Sequence, residues 1–310
     1  MRGLLCVVVL AAVGLFGCSA ATGTRNTGSG GSGTGGSIGL GGAGGSAAGG
    51  GFGASGGSGG GASSNCAAEA RFVYVIDGNG ELYKFDPPSL KFTTIGQVDC
   101  GTVLATPFSM AVDRNANAWV VFTDGKLYKV NTSNAICTPT SFTPGQQGFT
   151  TFGMGFSANG PNSNQDTLFV TNSDFSGPSS GLGTIDTQSL VLTRVGAYDQ
   201  LSSRAEMTGT GDGRLYGAFE GTPYVVAGID KATAHIKSQA PQTPIQYPPN
   251  GSNFAFAFWG GSFWLFVGPG TSTDVFQFDP VKNTTTQVSS VAFEIVGAGV
   301  STCAPVKPPQ

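Results

Sequence analysis

One motif returns five times in this chain: apolar residues around a short gap, then Asp or Asn, then a turn. It reads Leu82-Tyr83-Lys84-Phe85-Asp86, Leu127-Tyr128-Lys129-Val130-Asn131, Leu182-Gly183-Thr184-Ile185-Asp186, Val226-Ala227-Gly228-Ile229-Asp230 and Val275-Phe276-Gln277-Phe278-Asp279. The Asp/Asn positions are spaced by 45, 55, 44 and 49 residues. That is the length of a four-stranded propeller blade, and too long for helical solenoid units of about 34 residues.

Each repeat divides into four strands separated by Asn-, Asp- and Gly-rich turns, and no window of helical period interrupts the series. Blade two reads as 108–113, 118–122, 126–131 and 135–140; blade three as 151–157, 167–171, 182–186 and 190–195. Blade four reads as 205–210, 214–219, 224–230 and 234–238; blade five as 253–258, 262–267, 274–279 and 284–288. The pattern predicts an all-β, five-bladed β-propeller with four antiparallel strands per blade. Blade one has only tether before its second strand, Phe72–Val75, while Phe293–Ala298 matches the first strands of the other blades. The carboxy-terminal strand is therefore expected to pair into blade one and close the ring, which removes an open sheet edge.

The five repeated acidic or amide residues, Asp86, Asn131, Asp186, Asp230 and Asp279, could be taken for a carboxylate ring. Their recurrence before a turn in every blade argues instead for acceptors of turn amides.

The amino terminus carries Arg2 and then an apolar run from Leu4 to Gly17. That run is shorter than the roughly 20 residues a membrane-spanning helix needs. Leu15-Phe16-Gly17-Cys18 resembles the lipobox of bacterial lipoproteins, which implies a signal peptide over 1–17 and a lipidated Cys18; Ser19 after the cysteine resembles lipoproteins passed to the outer membrane. Residues 18–65 then form a Gly/Ser-rich tether whose composition cannot offset its backbone entropy. As a coil of roughly 5–6 Å × √n, it would hold the following domain about 35–40 Å from the lipid. The propeller domain is assigned to 66–305, and a short tail to 306–310.

Charged residues make up only 11% of the chain, and no basic cluster occurs. Nucleic acid and anionic lipid surfaces are therefore poor partners. With Cys6 removed in the signal and Cys18 lipidated, four cysteines remain, an even number suited to an oxidising compartment. Cys66 and Cys303 fall in the same inter-strand loop once the ring closes, so a Cys66–Cys303 bridge is expected, leaving Cys100–Cys137 as the second.

At Phe108-Ser109-Met110-Ala111-Val112-Asp113-Arg114, Phe152-Gly153-Met154-Gly155-Phe156 and Ala205-Glu206-Met207-Thr208-Gly209-Thr210-Gly211, the chain resembles a family of bacterial lipoproteins of uncharacterised function, with a Gly-rich tether and a propeller domain. The resemblance implies a lipid-anchored propeller and assigns no activity to any residue. The architecture is also loosely similar to quinoprotein-like and NHL-like propellers, which says nothing of function.

The candidate chemistry lies along the innermost strands. Glu206 and Glu294 hold matching places, each just before an apolar residue, and paired carboxylates are what glycoside hydrolysis requires. Asp113 lies on an innermost strand, and Trp259, at the turn after one, offers a face for a sugar. His235 is the only histidine; expected on an outer strand facing solvent, it suits neither a zinc centre nor a hydrolytic triad. Asp77-Gly78-Asn79-Gly80-Glu81 and Gly211-Asp212-Gly213 resemble fragments of calcium loops but lack the full ligand spacing, and read as hairpin turns. No metal or cofactor is expected.

The expected function is non-catalytic binding, at Asp113, Glu206, Trp259 and Glu294, of a protein, glycan or envelope component by a lipid-anchored envelope protein. The alternatives are a glycosidase-like enzyme using Glu206 and Glu294, or an envelope scaffold subunit.

Overall fold

The computed structural model describes residues 65–173, 181–247 and 252–308. Cys18, the signal peptide and the tether up to residue 64 lie outside them. Twenty strands form five four-stranded antiparallel sheets, which are the five blades. In each of blades two to five, four consecutive strands form a meander running outward from the axis. Blade two is β4–β7, with β4 at Pro107–Val112; blade three is β8–β11, with β8 at Phe152–Ala158. Blade four is β12–β15, with β12 at Ala205–Gly209, and blade five is β16–β19, with β16 at Asn253–Trp259.

Blade one combines both ends of the domain, in the order β20-β1-β2-β3. β20 (Ile295–Val300) pairs antiparallel with β1 (Val73–Asp77), Val73 opposite Val300 and Val75 opposite Ala298. The expected closure is present, with the closing strand two residues later than the sequence suggested. Phe293 and Glu294 precede it because the Gly78 amide already bonds the Glu294 carbonyl at the turn. Both expected disulfides form, with Cα–Cα distances of 6.0 Å for Cys66–Cys303 and 5.2 Å for Cys100–Cys137. Two disulfides suit an oxidising compartment outside the cytosol. Among the described residues no helix is long and apolar enough to cross a membrane.

The recurring Asp/Asn residue accepts turn amides in blades two to five. Asp186 Oδ1 accepts from the amides of Gln188 and Ser189, Asp230 Oδ1 from Ala232 and Thr233, Asp279 Oδ1 from Val281 and Lys282, and Asn131 Oδ1 from Ser133. In blade one the Ser89 hydroxyl donates to Asp86. Four residues after each cap the backbone takes a left-handed conformation, at Leu90, Ala135, Leu190, Ala234 and Asn283, with φ between 52° and 66°. Leu90 and Leu190 pack against the apolar layers between blades, and Ala135 and Ala234 are buried in them. Burial thus offsets the steric cost of a side chain in that region.

The core is a set of layers between successive blades. Alternation along β16 sends Phe254, Phe256 and Phe258 to one layer, while Ala255 and Ala257 face the other. At the axis the inner strands run side by side in the same direction. Gly297 of β20 lies against Ser109 and Met110 of β4, and Gly153 of β8 lies against Ala205 and Glu206 of β12. The approach is so close that a Cβ on Gly153 would sit 2.1 Å from the Ala205 carbonyl oxygen.

Candidate functional site

Because the inner strands are parallel, residues at their starts share one mouth of the ring and residues at their ends share the other. The two mouths differ. Past the strand ends, the segment after β20 crosses the ring. The Thr302 hydroxyl donates to Asp166 Oδ2 at 2.6 Å, and a Cβ on Gly211 would lie 2.3 Å from the Thr302 carbonyl oxygen. The Pro305 carbonyl accepts from the Gly260 amide, and Val306 packs against blade five. Arg114 completes this end: its Nε donates to both Asp166 oxygens at 2.9 Å, Nη2 donates to the Ser163 carbonyl at 2.8 Å, and both side chains of the pair are nearly buried. Cys66 and Cys303 lie at the same end.

At the opposite mouth a cavity of about 180 Å³ opens, and all five blades contribute to its wall. Blade one supplies Gly78, Glu294 and Val296; blade two supplies Thr106, Pro107, Phe108 and Thr123. Ser173 comes from blade three, Arg204 and Glu206 from blade four, and Asn253 and Phe254 from blade five.

Glu206 projects into the axis. It is 3% exposed, and its Oε2 accepts a 2.6 Å hydrogen bond from the Ser109 hydroxyl of blade two. Glycines at 153 and 155 in the intervening blade leave room for this reach across the channel. Burial pushes the Glu206 carboxyl up to about 8, although the Ser109 hydrogen bond and the Arg204 charge both pull it down. Desolvation wins because a carboxylate removed from water loses more than one neutral donor returns.

Arg204 is itself neutralised. Its Nε and Nη2 donate to the Glu220 carboxylate at 2.5 and 2.8 Å, and Nη2 also donates to the Ser252 carbonyl at 3.0 Å. This two-pronged pair is buried on both sides,. Glu294 stands at the rim, half-buried. Burial first, and the nearby Asp77 charge second, raise its carboxyl above the ordinary range.

Of the four binding candidates, the structure brings Glu206 and Glu294 to one cavity and places the other two at the closed end. Asp113 follows the last residue of β4 and caps a hairpin. Its Oδ1 accepts from the amides of Asn115 and Asn117, and its Oδ2 from Trp119 Nε1 at 3.1 Å. Trp259 ends β16, and its indole donates to the Arg71 carbonyl at 2.8 Å. The sequence signal that separates the pairs is position: Glu206 and Glu294 begin inner strands, whereas Asp113 and Trp259 end them. Arg204 and Asn253 on the wall, and Ser109 through its hydrogen bond to Glu206, complete the site.

His235 is largely exposed, its Nδ1 3.6 Å from Asp199. Asp77 Oδ1 accepts from the amides of Asn79 and Glu81, and Asp212 is engaged by Thr210 and Arg214, as hairpin turns require. Among the described residues no group of three or more His, Cys, Asp or Glu side chains is arranged to hold a metal ion.

No family model and no curated protein matches the chain. Solved structures to which the chain is similar include the nidogen/laminin complex, at 13% identity and a TM-score of 0.45, covering 78% of this chain and 83% of that one. Another is the Dos1 propeller, at 12% identity and a TM-score of 0.39, covering 71% of this chain and 55% of that one. The likeness is one of fold alone.

Proposed function

We propose that this chain is an envelope lipoprotein that binds a small ligand without catalysis, in the cavity at the open mouth of its propeller. The observation that carries this reading is the convergence of Glu206 and Glu294, from blades four and one, on a cavity walled by all five blades. Sites of this kind combine apolar walls with a few convergent polar groups. Here Pro107, Phe108, Phe254 and Val296 supply the former, and Arg204, Asn253 and the two carboxyls the latter. The lipid anchor at Cys18 and the outer-membrane address belong to the same proposal and rest on the sequence.

A second reading is hydrolysis of a glycoside. It is favoured by Glu206, whose raised pKa suits a general acid, lining the same cavity as Glu294,. Ligand binding measured on the native chain and on Glu206→Gln and Glu294→Gln, beside turnover of aryl glycosides, separates the two. Binding without turnover supports the first reading. Turnover lost in both variants supports the second.

A further inference from the structure

The cavity wall carries a charge imbalance that narrows the class of ligand. Among the described residues its one cationic side chain, Arg204, is committed to Glu220 through two hydrogen bonds. Glu206 and Glu294 therefore face the same space with no ion pair of their own among the described residues, and Asp77 adds negative charge near Glu294. The other polar wall residues, Thr106, Thr123, Ser173 and Asn253, are uncharged, as is Ser109 beside Glu206.

A buried carboxyl in such a setting retains a proton because nothing else supplies the positive charge. Burial raises the Glu206 carboxyl to about 8, and raises that of Glu294 above its ordinary range. A bound cation would take the proton's place. Beside the carboxyls Pro107, Phe108 and Phe254 give the wall an apolar stretch, with Thr106, Thr123 and Ser173 also on the wall. The apolar stretch suits an alkyl group. Asn253 Nδ2 is buried with no hydrogen-bond partner among the described residues. An amide can be turned end for end, and the same position then offers an oxygen acceptor.

We propose that the cavity takes a small organic cation, an alkylammonium whose head meets Glu206 and Glu294 and whose chain lies on Pro107, Phe108 and Phe254. This rests on the reading of the cavity as a binding site and adds the chemistry of what it binds. The balance is one proton: ammonium binding ionises Glu206, and the proton released goes to buffer. Apparent affinity therefore rises up to about tenfold per pH unit as pH approaches 8 from below, and levels off above it.

The test is calorimetric titration of the full-length chain with n-butylammonium, n-butanol, butyrate, methyl glucoside and calcium chloride, each at pH 7 and pH 9. The expected result is binding of butylammonium, at least tenfold weaker binding of butanol, and a loss of tenfold or more in Glu294→Gln. At pH 7 the heat should change with the ionisation enthalpy of the buffer, and this dependence should vanish in Glu206→Gln, whose fold is checked by circular dichroism. Butanol binding as tightly as butylammonium, or binding of calcium alone, overturns the assignment. Binding of the glucoside or butyrate alone also overturns it, yet leaves the cavity a ligand site. If none of the five binds, the binding reading of the cavity falls with it.

Discussion

Ser109 and Glu206 join blade two to blade four directly across the axis, the serine hydroxyl donating to the carboxyl at 2.6 Å over the glycines of blade three. Because this hydrogen bond lowers the Glu206 pKa, Ser109→Ala should raise it further. Glu206 is lifted from 4.5 to about 8, so the folded chain holds a proton that the unfolded chain releases between those values. Stability should fall across that window by up to about 1.4 kcal/mol per pH unit and level off above it. Urea unfolding at several pH values should show the slope in the native chain and its loss in Glu206→Gln.

Arg204 and Glu220 form a buried pair, and removing one partner leaves the other charged without compensation. Arg204→Ala should cost about 3–5 kcal/mol, whereas replacing both residues by apolar ones of similar volume should cost far less. A double-mutant cycle followed by urea unfolding measures this directly.

The disulfides should contribute unequally. Cys66–Cys303 closes a separation of 237 residues and Cys100–Cys137 one of 37. Chain entropy assigns about 5 kcal/mol to the first and about 4 kcal/mol to the second. Cys303→Ser should therefore lower the unfolding midpoint more than Cys137→Ser, and should also loosen the strand that closes the ring. Hydrogen exchange at residues 295–300 reports that loosening.

The turn caps predict small, graded effects. Asp230 accepts from two backbone amides and pairs with Lys237 at 2.8 Å. Asp230→Ala should cost on the order of 1 kcal/mol, as an amide cap does elsewhere. Asp230→Asn, which keeps the acceptor and loses an exposed ion pair, should cost little. The Lys237 hydrogen bond first, and the Ala232 amide next, hold the Asp230 carboxyl well below the ordinary carboxylate range. Its contribution is present above pH 4 and disappears as the acid protonates at lower pH. Melting temperatures of the two variants at neutral and acid pH check both points.

Much of the fold was legible because it is local and repeated. Asn131, Asp186, Asp230 and Asp279 bind amides two or three residues away, and the Phe254–Phe258 alternation fixes its two faces by strand period alone. Ring closure was legible because blade one visibly lacked a strand. The site was only half legible. Glu206 and Glu294 stood out as acids on inner strands, but the partners that set their chemistry are distant in sequence: Ser109 lies 97 residues from Glu206. Asp113 and Trp259 were grouped with them because all four belong to the channel strands. What divides them is the mouth each strand end reaches, and the closure of one mouth by residues 301–308 depends on tertiary contacts that no repeat encodes.

Site-resolved carbon-13 NMR titration of the Glu206 and Glu294 carboxyls tests most directly whether two desolvated acids share one cavity. The expected result is a Glu206 midpoint near 8, a Glu294 midpoint above its ordinary value, and a fall in both when an alkylammonium ion is added. Midpoints near 4.5 for both carboxyls, unmoved by any added ligand, would contradict it.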